Sequence, residues 1–301
     1  MTKPSLIVVV GPTGVGKTAI AIRLAQHYKT DIISADSRQM FREIPIGTAA
    51  PSVEEQAGVS HHFIGNMSVT ESMDAGQWSE QAREKIDELF KTHQILICAG
   101  GSGLYLNALL NGMDYLPGKD EVLREQLRKE YEEEGIEVLR KKLLLLDEEY
   151  YYEVDINNPK RIIRAIEVCL LSGQKYSELR SGTPHELPFD VVKIGLELPR
   201  EELYARINLR VDQMLANGLE EEARSVYQLK ELNALHTVGY RELFSYFDGE
   251  CSREEAIELI KQHSRNYAKR QMTWWRKDEE IKRFRPDEFE GISKIILLQR
   301  G

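Results

Sequence analysis

Leu6-Ile7-Val8-Val9-Val10-Gly11-Pro12-Thr13-Gly14-Val15-Gly16-Lys17-Thr18 is an apolar run, a glycine-rich turn and the first residues of a helix. The turn fits G-x-x-x-x-G-K-[ST] at every fixed position. Glycines let the backbone curl so that successive N–H groups point inward at phosphate oxygens. Lys17 adds a point charge, and the Thr18 hydroxyl is suited to ligate Mg²⁺. The helix beginning near Thr18 directs its positive dipole end at the same anion. Gly11 to Thr18, with Pro12, Thr13, Gly14, Val15, Gly16 and Lys17 between them, therefore read as a P-loop. Such a loop grips a di- or triphosphate without saying whether phosphoryl is what is transferred.

Beyond this loop, strands and helices alternate. Ala19 to Ala25 reads as helix, and Asp31-Ile32-Ile33-Ser34-Ala35-Asp36 as a short strand with a polar end. Trp78, Ala82, Ile86 and Leu89 form one stripe of a helix over residues 74–91, and Ile95 to Ala99 is a buried strand. This alternation predicts an α/β fold, a P-loop NTPase-like parallel sheet flanked by helices. Functional residues should gather beyond the carboxyl ends of the strands, where the P-loop, Asp36-Ser37-Arg38-Gln39 and Gly100-Gly101-Ser102-Gly103 fall. After Pro117-Gly118 comes a charged helical stretch, Glu121 to Leu146, then a helix from Pro159 to Leu171. Ser181-Gly182-Thr183-Pro184 marks a loop, and Val191 to Leu196 returns to a strand pattern. The expected organisation is a catalytic core of residues 1–116 and 190–301, interrupted by an inserted all-helical domain at 117–189. Residues 200–280 read as helical, with a last short strand or helix near Ile295-Ile296-Leu297.

Hydrophobic content of 42% and charged content of 30% suit a globular protein with a sizeable core. No apolar stretch approaches the roughly 18–20 residues of a membrane span. Met1-Thr2-Lys3-Pro4 leads directly into the first strand, leaving no room for a targeting peptide. Cys98, Cys169 and Cys251 lack C-x-x-C spacing and read as thiols of a reducing compartment, so a cytoplasmic location is expected. The formal charge of −9 argues against a nucleic-acid partner, but its distribution argues the other way. Residues 261–277 hold six Lys/Arg and no Asp or Glu. Lys261, Arg265, Lys269 and Arg276 recur at helical spacing, Lys160-Arg161 and Arg164 form a second cluster, and Arg206 and Arg210 lie one turn apart. With acidic residues segregated elsewhere, an anionic polymer or phosphate partner outweighs a merely solvated face.

Asp36 at a strand tip reads equally as a general base or substrate acceptor and as a cap for the next segment. The third strand ends in Ala99-Gly100-Gly101-Ser102, where many P-loop ATPases carry a Mg²⁺-organising Asp, so close approach of a bulky substrate to the glycines is expected instead. Adjacent His61-His62 point in different directions and have no matching Cys/His pair, which favours a structural role over a metal site.

Taken in order, these residues resemble the tRNA dimethylallyltransferases. The matching motifs are the P-loop, Asp36-Ser37-…-Gln39, Ile46-Gly47-Thr48-Ala49, Gly100 to Tyr105, Asn158 to Ala165, Arg206-Ile207-…-Arg210, Val238-Gly239-Tyr240-Arg241 and Tyr267 to Trp274. They span nearly the whole chain. Departures are Met40-Phe41 where Val-Tyr is usual, Ser102 where Thr is common and Lys160 where Gln is frequent. The zinc finger of longer eukaryotic relatives is lacking. The resemblance implies dimethylallyl transfer from dimethylallyl diphosphate to N6 of adenosine 37 in tRNA, with the P-loop clamping the diphosphate. It implies catalytic roles for Asp36 (general base), Thr18 (with Mg²⁺) and Arg210. It implies tRNA contacts, centred on the anticodon loop, from Asp36, Ser37, Arg38, Gln39, Ser102, Arg124, Lys160, Arg161, Ile162, Ile163, Arg164, Lys269 and Arg270; a monomer with no membrane partner is expected. The alternatives are the same chemistry on free AMP, ADP or ATP, a small-molecule kinase, and a noncatalytic nucleotide-gated RNA-binding module. The insertion and the basic segments favour a macromolecular acceptor.

Overall fold

The computed structural model describes residues 3–114, 116–118, 120–180 and 186–300, without the Arg300 side chain. The expected loop at Ser181-Gly182-Thr183-Pro184 lies outside the described residues. The chain divides into two compact units, one of residues 1–110 and 186–301 and one of residues 111–185.

The first unit contains β1 (Ser5–Val10), α1 (Lys17–Tyr28), β2 (Ile32–Ser34), α2 (Pro45–Thr48), β3 (His61–His62), α3 (Ala75–Leu89), β4 (Ile95–Ala99) and α4 (Gly103–Asn111), the last reaching one residue past its boundary. The second unit contains α5 (Glu121–Glu134), α6 (Ile136–Leu146), α7 (Glu148–Glu153), α8 (Pro159–Ser172) and α9 (Tyr176–Leu179). The chain then returns to the first unit with β5 (Asp190–Leu196), α10 (Arg200–Ala216), α11 (Leu219–Val226), α12 (Tyr240–Phe247), α13 (Arg253–Arg276), β6 (Lys282–Phe284) and α14 (Phe289–Arg300).

The six strands form one sheet in the order β3-β2-β4-β1-β5-β6, and every pairing is parallel. β1 is buried along its whole length because helices cover both faces, so its sequence is continuously apolar. Alternate residues still separate by face. Leu6, Val8 and Val10 join Trp78 and Tyr240 in one core, while Ile7 and Val9 join Leu24, Ile207 and Ala268 in the other. Parallel strands place the segments after β1, β2 and β4 along one edge, which builds the site below.

The charged stretch expected as one helix is two, α5 and α6, parted at Gly135 with φ 78°, where glycine avoids the strain of a side chain. Leu127, Leu139, Leu143, Ile162, Ile163 and Ile166 form the insertion's own core. The segment at 295–297 lies within a helix, α14. β6, not expected from the sequence, is a three-residue edge strand whose Lys-Arg-Phe pattern carries no apolar alternation. Among the described residues, no helix is long and apolar enough to cross a membrane.

Candidate active site

The P-loop geometry follows from its glycines. Gly16 caps α1 at φ 109°, and an added Cβ at Gly11 (φ 147°) would lie 2.6 Å from the Leu196 carbonyl oxygen. Lys17 Nζ donates to the carbonyls of Gly11 (3.0 Å) and Pro12 (2.9 Å). Burial lowers the Lys17 pKa to about 8; nearby Asp36 opposes this shift and Arg210 adds to it. Val15 is fully buried, so it offers the loop backbone only.

Asp36 follows β2 and faces the same cleft. Its Oδ1 accepts from the backbone N–H groups of Arg38 (2.9 Å) and Gln39 (3.3 Å), which makes it the cap of the following turn. The cap uses one carboxylate oxygen; among the described residues, Oδ2 accepts no hydrogen bond, so capping leaves an acceptor free. Next along the loop, the Ser37 amide donates to Ser102 Oγ (3.0 Å) and the Ser102 hydroxyl to Ser37 Oγ (3.2 Å). Arg38 donates to the carbonyls of Asn233 (3.0 Å) and Ala234 (3.3 Å), and burial lowers its pKa. The Gln39 amide donates to the carbonyls of Thr48 and Ala49.

The cleft has a volume of about 900 Å³ and is lined by Thr13, Lys17, Thr18, Asp36, Gln39, Arg206, Arg210, Tyr267 and Gln271, with Ile46, Leu209 and Met214 as apolar wall. Arg210 donates to the Ala49 carbonyl at 3.4 Å; burial lowers its pKa, with Asp36 and Glu55 pulling the other way. Burial, followed by the Asp36 charge, pushes the Tyr267 phenol up to about 12. Two recessed cations and a carboxylate thus surround one cavity at a helix N-terminus, an arrangement that holds an anion beside a proton acceptor.

The glycines after β4 are places of close approach for the chain's own groups, and Gly100 also lines the cleft. Added Cβ atoms would overlap the Ala35 carbonyl at Gly100, the Gln271 carboxamide at Gly101 and the Trp274 indole at Gly103. The chain itself needs the space.

Other expected site residues have different roles. Ile162 and Ile163 are core of the insertion, 0% and 9% exposed, because the apolar stripe of α8 must be buried. Arg124 forms a two-pronged ion pair with the buried Glu167 (2.7 and 2.8 Å), and Arg164 reaches the same carboxylate (2.6 Å) and the Pro117 carbonyl. Burial alone would raise the Glu167 pKa, but bonds from both arginines and the Asp120 amide hold it below the usual range. These guanidinium groups are already matched to a carboxylate and are not free phosphate ligands. Lys160, Arg161, Lys269 and Arg270 are exposed. Acidic residues are not fully segregated from the α13 stripe, since Lys261 pairs with Asp212 (2.8 Å) and Glu258 (3.4 Å). His62 bonds Asp31 and His61 the Val59 carbonyl, a structural pairing.

Sequence reasoning missed Gln271 as a site residue. It also missed Glu222, whose carboxylate accepts from the amides of Ile46 and Gly47 (both 2.8 Å) and from the Tyr240 hydroxyl. Burial drives the Tyr240 pKa far up. The Val238–Arg241 motif thereby fixes α2 against the cleft. A polar Gln271 one turn from buried Ala268 was the available signal.

Together these features define an α/β P-loop protein whose phosphate loop faces a carboxylate-bearing loop across a cationic cleft. The IPP transferase family profile matches residues 39–278, and the chain belongs to that family. It is 48% identical over 296 residues to tRNA dimethylallyltransferase 1 of Bacteroides fragilis, covering 98% of each chain. It is 49% identical over 291 residues to the tRNA dimethylallyltransferase of Cytophaga hutchinsonii, covering 97% of this chain and 96% of that one. The crystal structure of the full-length tRNA isopentenylpyrophosphate transferase of Bacillus halodurans superposes with a TM-score of 0.73 at 34% identity, covering 99% and 97% of the two chains.

Proposed function

We propose that the protein transfers a dimethylallyl group from dimethylallyl diphosphate to N6 of adenosine 37 in the tRNA anticodon loop. Near-full-length kinship with enzymes named for tRNA dimethylallyl transfer carries this reading, and the cleft supplies groups suited to each part of the chemistry. N6 attacks the allylic C1 while the C1–O bond breaks, and the electron pair leaves with diphosphate. P-loop amides, Lys17 and Arg210 stabilise the charge that develops on that leaving group. The adenine amine is a weak nucleophile because its lone pair is conjugated with the ring; Asp36 accepts its proton as the N–C bond forms.

Thr18 presents a hydroxyl to the cleft with no protein partner among the described residues, and an oxygen donor suits a hard cation. It would hold Mg²⁺, which supplies further positive charge to the diphosphate. The target base must leave its stack to reach Asp36. Lys160, Arg161, Lys269 and Arg270 are exposed cations suited to the surrounding phosphates. Incubation with labelled dimethylallyl diphosphate and either tRNA or AMP tests the reading: label should enter tRNA. Label entering AMP alone would assign the rival reaction on free nucleotides.

A further inference from the structure

Gln271 lies on α13 and is 6% exposed, while its neighbours Arg270 and Thr273 are exposed. A buried carboxamide is costly unless both its ends are hydrogen-bonded. Here both are. Oε1 accepts from the Thr13 amide of the P-loop at 2.8 Å, and Nε2 donates to the Gly101 carbonyl at 3.0 Å. Gly101 precedes Ser102, whose hydroxyl oxygen accepts the Ser37 amide beside Asp36. A continuous run of bonds therefore joins the phosphate loop to the carboxylate loop, and Gln271 is its middle link.

We infer that Gln271 is a positioning residue for prenyl transfer, holding the diphosphate clamp in register with the base Asp36. The inference rests on the proposed reaction. Its chemistry is restrictive: the side chain must accept from one loop and donate to the other. Methionine cannot donate and accepts only weakly, and an ionised glutamate accepts but does not donate. Gly101 belongs to the same device, since a Cβ there would overlap Nε2 and displace the carboxamide. Misplacing reacting groups by about 1 Å costs on the order of 10²-fold in rate.

The test is single-turnover transfer of labelled prenyl to tRNA by the full chain and its Gln271→Met, Gln271→Glu and Gly101→Ala variants. Thermal unfolding and tRNA affinity are measured alongside. Gln271→Met should slow transfer by about 10–100-fold with tRNA affinity within about twofold of the wild type. The deficit of Gln271→Glu relative to wild type should shrink as pH falls, because the protonated carboxyl again donates to Gly101 while accepting from Thr13. Gly101→Ala should slow transfer, and adding Gln271→Met should cost less than the product of the two single effects. A purely structural residue would lower the melting temperature and leave the transfer rate constant and its pH profile unchanged, and that result overturns the inference. Absence of transfer by the wild-type chain would instead count against the prenyl-transfer reading itself.

Discussion

Arg210 in the core and Arg124 and Arg164 in the insertion are all recessed arginines, but their surroundings are opposite. Arg124 and Arg164 converge on Glu167, a carboxylate with no exposed surface, so their charge is satisfied internally. Among the described residues, Arg210 and Lys17 donate to backbone carbonyls and form no close ion pair, although Asp36 lies near enough to act on both; burial weakens the hold of each on its proton. A desolvated cation without a matched carboxylate is poised to gain from an arriving anion. A desolvated cation already matched holds a fold together. What separates the two regions is whether a buried carboxylate is bonded to the cations.

The largest effect should follow removal of the half-buried Asp36 carboxylate, which shares the cleft with Lys17 and Arg210 without pairing closely with either. Asp36→Asn keeps an oxygen to cap the turn at Arg38 and Gln39, so the fold should survive, while the single-turnover rate falls by roughly 10²–10⁴-fold. Transfer at the wild-type rate would reduce Asp36 to a cap. Next in size, Lys17→Ala or Arg210→Ala should lower transfer by about 10²–10³-fold and weaken donor binding, with tRNA affinity unchanged. Equal loss of tRNA affinity would erase the distinction between the two regions.

Lys17 also predicts a pH signature. Its folded-state pKa of about 8 lies below the ordinary 10.5, so between these values the unfolded chain binds more protons. The stability contribution of Lys17 therefore rises with pH across that window and is least favourable below pH 8. A bound diphosphate should raise the pKa again, so titration calorimetry near pH 8–9 in buffers of different ionisation enthalpy should register proton uptake on donor binding.

In the insertion, Arg124→Ala strips one partner from a buried acid and should destabilise that unit by about 3 kcal/mol, seen in denaturant unfolding, without altering donor KM. The smallest effect belongs to the exposed cations. Lys269→Ala should weaken tRNA binding a few-fold and lower the salt-dependence slope by about one.

The core was legible in the sequence where chemistry and period coincide. Leu6–Thr18 joins a buried-strand run to a loop whose glycines have a geometric reason, and Asp36 stands at a strand tip. The lost parts depend on contacts between residues distant in sequence. Nothing local to Arg124 announces Glu167, 43 positions on, and the one-turn spacing of Arg164 and Glu167 on α8 does not by itself reveal a buried carboxylate; Ile162 and Ile163 sit inside a motif whose charged members suggested a surface. Gln271 meets Thr13 across 258 positions, a pairing no window reveals. Glycines 100, 101 and 103 read as places of close approach, and the chain's own Ala35, Gln271 and Trp274 are among the groups that approach them. β6 was missed because an edge strand of three residues carries too few buried positions to show a period.

On this reading the phosphate loop clamps a leaving group for transfer to tRNA. Supplying the protein with tRNA, labelled dimethylallyl diphosphate and Mg²⁺ in nucleotide-free buffer separates a clamp from an ATP-driven loop. We expect stoichiometric prenylation of the tRNA with no nucleotide required, and ATP acting at most as a competitor for the loop. A requirement for ATP hydrolysis during transfer would contradict the clamp, even if the product were the expected modified adenosine.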